Sequence, residues 1–502
     1  MLPHPPSLRA PSRRRAATRR RDRLTGARRT LLVGGLAVVA VALILAGAAL
    51  VLHGSVDYAL LGVAGAACLL VLLAVPMLKP DYEVVEPISF VMLAVAIGVT
   101  LKPGWLAFGP EGARDFLLLN RLEPAFLVNA AVIVLFGLIA FAAGYLFQLP
   151  APRLERSRIV ANESWSRWRI LLVAAVALTI AVVSMSLYLS KMGLTGVIED
   201  FSRKRFYTVE GAEYARSALG YYRWGASVTG PVFLFVLAWA LTKRTRLGLV
   251  EAGVIAALVL MAIVFPFFNS SRTKVLMVLI EALVIWRCTR GAIPKSILVG
   301  GSVGILALLL ILTALRPRSG DLSSAGDVFG ARALLETTVG GRHFMDLTKT
   351  AHIIEGVPEL LPYQYGESYA AWAFMPIPRT VWLDKPPLGA GPLIGQNIFN
   401  MRFAGVPPGM IAEAYLNFGL LGIVLIPFFL GVGMRWVYEM FKPVLHHTAG
   451  ATLYAVTVIP VGWTTVTGGF SQMMVALMVA AVPLVAIVVF VRVRRRFVPH
   501  AV

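Results

Sequence analysis

Apolar residues in this chain come in long uninterrupted runs, with neither the alternation of a half-buried strand nor the one-faced stripe of a surface helix. Twelve runs approach the twenty or so residues that a helix needs to cross about 30 Å of hydrocarbon. They cover 31–52, 57–78, 87–101, 125–148, 170–189, 224–242, 248–268, 272–286, 296–315, 410–434, 448–467 and 471–491. The third and eighth are the shortest. The pattern predicts an all-α polytopic membrane protein of about 12 transmembrane helices, with transmembrane helices 1–9 in 31–315 and 10–12 in 410–491.

Composition agrees with that reading. The 502 residues are 58% hydrophobic and 15% charged, with a mean hydropathy of +0.76, far from the soluble range. A formal charge of +21 would suggest nucleic acid in a soluble protein. Here much of it flanks the apolar runs, where it sets orientation, and no nucleic-acid partner is expected. Residues 1–30 hold ten arginines and one acid; they read as a disordered basic cytoplasmic tail touching membrane lipids. "AGA" at 46–48 imitates a signal-peptidase site, but the apolar run continues past it, which favours an uncleaved first span. Cys68 and Cys288 lie in or beside apolar runs, so no stabilising disulfide is expected.

With the N-terminus inside, alternation puts the basic connections "RLERSR", "TKRTR" and "RCTRGAIPK", and the tail 492–502, on the cytoplasmic side of a bacterial cell membrane. Nineteen of the 47 Lys and Arg then fall outside, in a few clusters. Six lie in 190–223, including Arg203, Lys204 and Arg205; Arg272 and Lys274 stand in "NSSRTK"; eight lie between Arg316 and Arg402, including Arg342, Arg379 and Lys385. Snorkelling at helix ends explains any one of them; their number on the outer side is what calls for chemistry. Arginine offers phosphate oxygens a planar fork of donors and keeps its charge when partly desolvated, which suits a lipid-linked phosphate or diphosphate at headgroup depth.

The outer connection 316–409, between the ninth and tenth spans, is too long for a simple turn. It is also too aromatic to stay solvated, as "YQYGESYAAWAFMPIPRTVWL" shows. It is expected to fold back as an extracytoplasmic loop of re-entrant or interfacial helices. Four prolines stiffen 376–387, and Trp372 and Trp382 provide interfacial anchors. Phosphate-loop, HExxH and zinc-spaced Cys/His motifs are missing, so neither a cofactor nor a metal is expected. Glu199-Asp200 is an adjacent acid pair that reads as a solvated turn or a metal pair. Glu281, inside the eighth run, is the nearest thing to a mid-membrane charge; it reads equally as functional or as a partner of Arg287.

One stretch resembles a known family. Gly366-Glu367-Ser368-Tyr369, then Ile377-Pro378-Arg379 with Trp382 and Lys385-Pro386, then Glu413-Ala414-Tyr415-Leu416-Asn417-Phe418-Gly419 look like the Wzy-type O-antigen and oligosaccharide repeat-unit polymerases. The resemblance covers about 60 residues in motif; the rest matches in layout alone. It implies a GT-C-like integral-membrane glycosyltransferase. The donor and the acceptor would both be polyprenyl-diphosphate-linked oligosaccharides, and a flippase and a chain-length regulator are implied as partners. It carries Arg379, Lys385, Glu413, Tyr415 and Asn417 into the site, and Arg272 with the "SSR" segment.

Chemistry then suggests roles. Arg379 and Arg272 would stabilise the leaving diphosphate, and Glu413 would act as general base. Lys274, Arg203, Lys204, Arg205, Arg342, Lys385, Tyr369, Trp382, Tyr415 and Asn417 would bind substrate. Asp384, His343 and Glu367 are weaker base candidates. For Glu413 a plain structural role remains open, as an acid at a helix N-terminus. An O-antigen ligase-like transferase, a twelve-span lipid or oligosaccharide transporter and a scaffold are the competing readings.

Overall fold

The computed structural model describes residues 13–109, 123–152, 154–157, 159–160, 164–203, 222, 225, 227–243, 247–268, 272–297, 299–301, 303–304, 335, 338–340, 346–377, 381–382, 385, 387, 389–400 and 405–493; within them, the side chains of 13–25, 192–203, 265–268 and 272–273 are not described. Apart from one isolated bridge between Trp165 and Arg492, the regular structure among these residues is helical. The longer helices are α1 (Arg13–His53), α2 (Val56–Leu78), α3 (Pro87–Phe108), α4 (Pro124–Leu146), α5 (Arg167–Arg203), α6 (Thr229–Thr242), α7 (Leu249–Phe268), α8 (Arg272–Arg290), α9 (Leu347–Gly356), α10 (Gly409–Phe441), α11 (Thr448–Thr467) and α12 (Phe470–Val491), and short ones span Glu367–Ala370 and Gly391–Asn397.

Eight segments among the described residues are long and apolar enough to cross a membrane: Gly26–His53, Val56–Leu78, Pro87–Phe108, Pro124–Leu146, Arg167–Lys191, Gly409–Val444, Thr448–Thr467 and Phe470–Val491. Thr229–Thr242 and Leu249–Val264 are shorter apolar helices. The chain is therefore an all-α, multi-pass membrane protein.

Element ends differ from the sequence expectation most at the following three places, with smaller shifts at Thr229, Arg290 and Phe441. The first helix begins at Arg13, inside the arm expected to be disordered; Arg and Ala are strong helix formers, and neither Gly nor Pro interrupts 13–25. The third run continues past 101 through a π turn at Ala96–Thr100 into Lys102–Phe108, where Thr100 Oγ donates to the Gly65 carbonyl at 2.8 Å. The fifth helix extends to Arg203. Most of the run 296–315 lies outside the described residues.

At the centre, α4 packs between α2 and α10. Small residues let α4 and α10 approach closely, as membrane helices do where there is little hydrophobic drive between them. A Cβ built on Gly144 would lie 2.0 Å from the Phe428 carbonyl, and one on Gly431 2.3 Å from that of Phe141. Buried Ile353, Val357, Leu361 and Ile394 of the long connection pack on Ala412 and Leu416 at the start of α10. Helix α10 is broken at Phe418 (φ −140°, ψ 18°) and Gly419 (φ 58°, ψ −142°), so 409–417 forms a short segment distinct from the longer one that follows.

A charged cluster joins the α2–α3 connection to the far end of α10. The buried Lys79 Nζ donates to both Glu86 oxygens at 2.8 Å, and lies 3.2 Å from Glu439 and 4.9 Å from the centre of the Tyr438 ring. Tyr145 Oη donates to Glu86 Oε2 at 2.8 Å, and Arg435 donates to the Tyr145 and Leu146 carbonyls. Lys442 pairs with Asp81 at the edge.

Candidate functional site

Three segments far apart in sequence meet around Glu413: the turn 366–372, the first segment of α10, and the start of α12. Glu413 is 2% exposed and Asn417, one turn later, is fully buried. Ser368 Oγ donates to Glu413 Oε1 at 3.0 Å, and the Phe470 backbone N–H donates to Oε2 at 2.7 Å. Asn417 Nδ2 donates to Ser368 Oγ at 2.8 Å and to the Glu413 carbonyl at 2.7 Å, while its Oδ1 accepts from Gly366 N at 2.9 Å. Ser471 Oγ donates to the Ser368 carbonyl and accepts from Trp372 N.

Local backbone chemistry explains this convergence. Gly366 adopts φ 94°, a left-handed turn that glycine enters without penalty. The break at Gly419 frees the last carbonyls of the short segment, which need partners. Gln364 N and Tyr365 N supply them, donating to the Leu416 and Asn417 carbonyls at 3.0 and 3.2 Å. The N–H of Phe470 is unsatisfied within its helix because it opens α12, and Glu413 accepts from it, placing an acid where the helix dipole favours one.

Both hydrogen-bond donors to the Glu413 carboxyl are neutral, and no cation acts on it among the described residues. It can therefore gain a proton without breaking an ion pair. Beside it the Tyr369 ring meets Phe470 edge-on at 5.2 Å, and its hydroxyl is buried with no hydrogen-bond partner among the described residues. Burial, and then the Glu413 charge, hold that phenol well above the usual tyrosine range. The phenol thus keeps its proton in the field of the carboxylate.

The other sequence candidates fall into three groups. Glu413, Asn417 and Tyr369 are brought together. Tyr415, on the same segment, turns toward Tyr363, with ring centres 6.3 Å apart. Glu367 is exposed. Lys385 donates to the Met375 and Ile377 carbonyls at 3.1 and 2.8 Å, so its ammonium closes a turn of its own segment. Trp382 meets Phe374 edge-on at 5.6 Å. Lys274 is exposed in the first turn of α8; Arg272 and Arg203 lie at helix ends with undescribed side chains. Lys204, Arg205, Arg342, His343, Arg379 and Asp384 lie outside the described residues.

Ser368 and Ser471 are site residues that the sequence reading did not single out. Ser368 stood inside the quoted Gly366–Tyr369 motif, which was its signal; Ser471 gave none. Also missed was buried Lys102, which lies 3.5 Å from Asp346 and donates to the Val339 and Gly340 carbonyls, tying the long connection to α3. No group of three or more His, Cys, Asp or Glu is placed to hold a metal among the described residues. Set against known protein families, characterised proteins and solved structures, the chain matches none.

Proposed function

We propose that the protein polymerises polyprenyl-diphosphate-linked oligosaccharide repeat units by glycosyl transfer at the outer face of the cell membrane, as a twelve-span, GT-C-like enzyme with both termini cytoplasmic. The observation that carries this reading is the contact between Ser368 and Glu413, 45 residues apart. Two of the three motifs on which the family resemblance rests, 366–369 and 413–419, meet around one buried carboxylate whose partners are neutral.

In this reading Glu413 takes the proton of the acceptor sugar hydroxyl. The acceptor oxygen bonds to the donor's anomeric carbon, and the bond from that carbon to the diphosphate breaks. Its electron pair leaves with the polyprenyl diphosphate, whose charge Arg379 and the neighbouring outer cations stabilise. Asn417 and Ser368 fix the carboxylate, and the Tyr369 hydroxyl lies within its field.

The test supplies purified protein in lipid nanodiscs with a polyprenyl-diphosphate-linked oligosaccharide and sizes the products on a gel. A ladder of lengthened chains from wild type, lost in Glu413→Gln, is the expected result. Wild type that makes no glycosidic bond under conditions where it binds the donor overturns the reading. Transfer of a single unit to a different acceptor points to a ligase.

A further inference from the structure

The connection that carries Ser368 presents two exposed surfaces of opposite character, one on each side of the turn 366–372. After the turn come Phe374, Met375, Ile377, Val381 and Trp382, all exposed, with neither a hydroxyl nor a charge among these five side chains. Such a surface suits hydrocarbon. Before the turn the rings are tyrosines. Tyr363 meets Tyr365 with ring centres 6.3 Å apart and meets Tyr415 at the same distance, and Gln364 and the exposed Glu367 flank Tyr365 in the chain. Ring faces edged by hydroxyl, amide and carboxylate groups suit a ligand that is apolar on one face and polar at its rim.

Tyr365 is the least ordinary of the three tyrosines. Its backbone is left-handed, with φ 44°, a conformation that is costly for a bulky side chain. Burial does not offset that cost, because the residue is 78% exposed. The site itself holds the strained backbone: Tyr365 N donates to the Asn417 carbonyl and Gly366 N to Asn417 Oδ1. Strain of this kind collects at ligand clamps. Tyr363 is seated in the break of α10, where a Cβ on Gly419 would stand 3.3 Å from its hydroxyl oxygen. Asn417 donates in turn to Ser368 and to the Glu413 carbonyl, so the tyrosines and the carboxylate share one set of fastenings. Tyr415, two residues past Glu413, faces the other flank of the same segment. A helix is about 10 Å across, a width that a chain of several sugars spans.

A pyranose ring is the ligand such a surface fits. Its C–H groups stack on the electron-rich face of a tyrosine, and its hydroxyls meet the polar rim. Tyrosine gives this contact at little cost in side-chain freedom. We propose that Tyr363, Tyr365 and Tyr415 form a sugar-binding platform for the oligosaccharide on which Glu413 acts, with the lipid part of the substrate toward the apolar surface 374–382. The proposal rests on the transferase reading for its choice of substrate, and its test needs no turnover.

Binding is measured by saturation-transfer NMR and titration on wild type, Tyr365→Asn and Tyr365→Phe in lipid nanodiscs. The probes are a repeat-unit oligosaccharide freed from its diphosphate by mild acid, and polyprenyl diphosphate without sugar. Asparagine suits the left-handed backbone, so Tyr365→Asn is expected to keep its thermal stability while oligosaccharide affinity falls about tenfold. Tyr365→Phe keeps the ring and most of the affinity, and polyprenyl diphosphate binds all three alike. Unchanged oligosaccharide binding in Tyr365→Asn overturns the proposal, as does loss of polyprenyl diphosphate instead, which marks a lipid-facing patch. Should Tyr365→Asn fail to insert, hydroxyl-radical footprinting of wild type decides: protection of Tyr365 by the free oligosaccharide supports the platform, and none overturns it. A protein that binds the oligosaccharide through Tyr365 yet forms no glycosidic bond keeps the platform and loses the polymerase. Chain lengthening by Tyr365→Asn at wild-type KM does the reverse.

Discussion

Glu86 and Glu413 are both buried acids at helix ends, yet their surroundings give them opposite chemistry. Glu86 is gripped by Lys79 through both oxygens and by the Tyr145 hydroxyl, with Glu439, Arg435 and Lys442 completing a network of alternating charge. Such an acid is committed: protonating it breaks an ion pair in a medium where that is costly. Glu413 accepts from a serine hydroxyl and a backbone N–H, so a proton can come and go at the cost of rearranging neutral hydrogen bonds. Counter-charge, more than burial, separates an acid held in an ion pair from one whose hydrogen bonds are all neutral.

The largest test of that contrast is Glu413→Gln. It keeps size, and its amide oxygen can still accept from the Phe470 N–H, while its NH2 must turn to Ser368 Oγ and reverse that bond. It cannot accept a proton, so turnover is expected to fall about 10²- to 10⁴-fold. Donor binding should stay near wild type, and thermal stability should fall by no more than about the 1–3 kcal/mol of one buried hydrogen bond. Retained turnover would reduce Glu413 to a joint between segments and move the base to Asp384 or His343. At the other cluster, Lys79→Met leaves Glu86 and Glu439 without their shared cation and is expected to cost about 3–5 kcal/mol of stability, read by denaturation. Activity per folded molecule should hold. Pairing it with Glu86→Leu should recover part of the loss.

A smaller effect is expected at Arg379. Arg379→Lys keeps the charge but loses the bidentate fork, and a drop of about a hundredfold in turnover is expected; near-normal polymer from a normally inserted Arg379→Ala protein returns the residue to an interfacial anchor. Ser368→Ala strips one donor from the Glu413 carboxyl and is expected to cost about 1–3 kcal/mol, measured as a lowered midpoint of thermal unfolding.

The smallest effect belongs to Asp81, half exposed beside Lys442. Burial pushes its carboxyl up, but the hydrogen bond and charge of Lys442, with Lys79, outweigh that and leave it below the ordinary range. Its contribution is therefore present above the unfolded value near pH 3.9 and is lost as pH falls through the lower folded value. Solvent screening keeps Asp81→Asn within about 1 kcal/mol above that range, and wild type and variant should converge in acid.

Hydropathy made the membrane class and most helices legible, because a run such as 125–148 has only one low-energy fate in lipid. Helix ends were less legible. Past Thr100 the chain carries Lys102 and Pro103, which read as the close of a span, yet it stays helical because Thr100 and Lys102 find partners on α2 and the long connection. Glu413, Asn417 and Tyr369 were visible as motif letters, and their convergence was not, since it depends on a glycine break and on backbone donors without a sequence signature. The charged cluster at Lys79 was invisible for a related reason. "KPDYEVVEP" and "RWVYEMFK" each look like an ordinary polar helix flank until folding brings them together.

The break at Gly419 also decides which body the carboxylate travels with. An unbroken α10 would make Glu413 the tip of a rod anchored at its far end by Arg435 and Glu439. Instead the rod ends at the glycine. Three backbone donors from 364–366, with the Ser368 hydroxyl, fasten residues 413–417 to the long connection. Glu413 is thus built into the connection and, through the Phe470 N–H, into the start of α12, and the break at Gly419 sets it off from the rod.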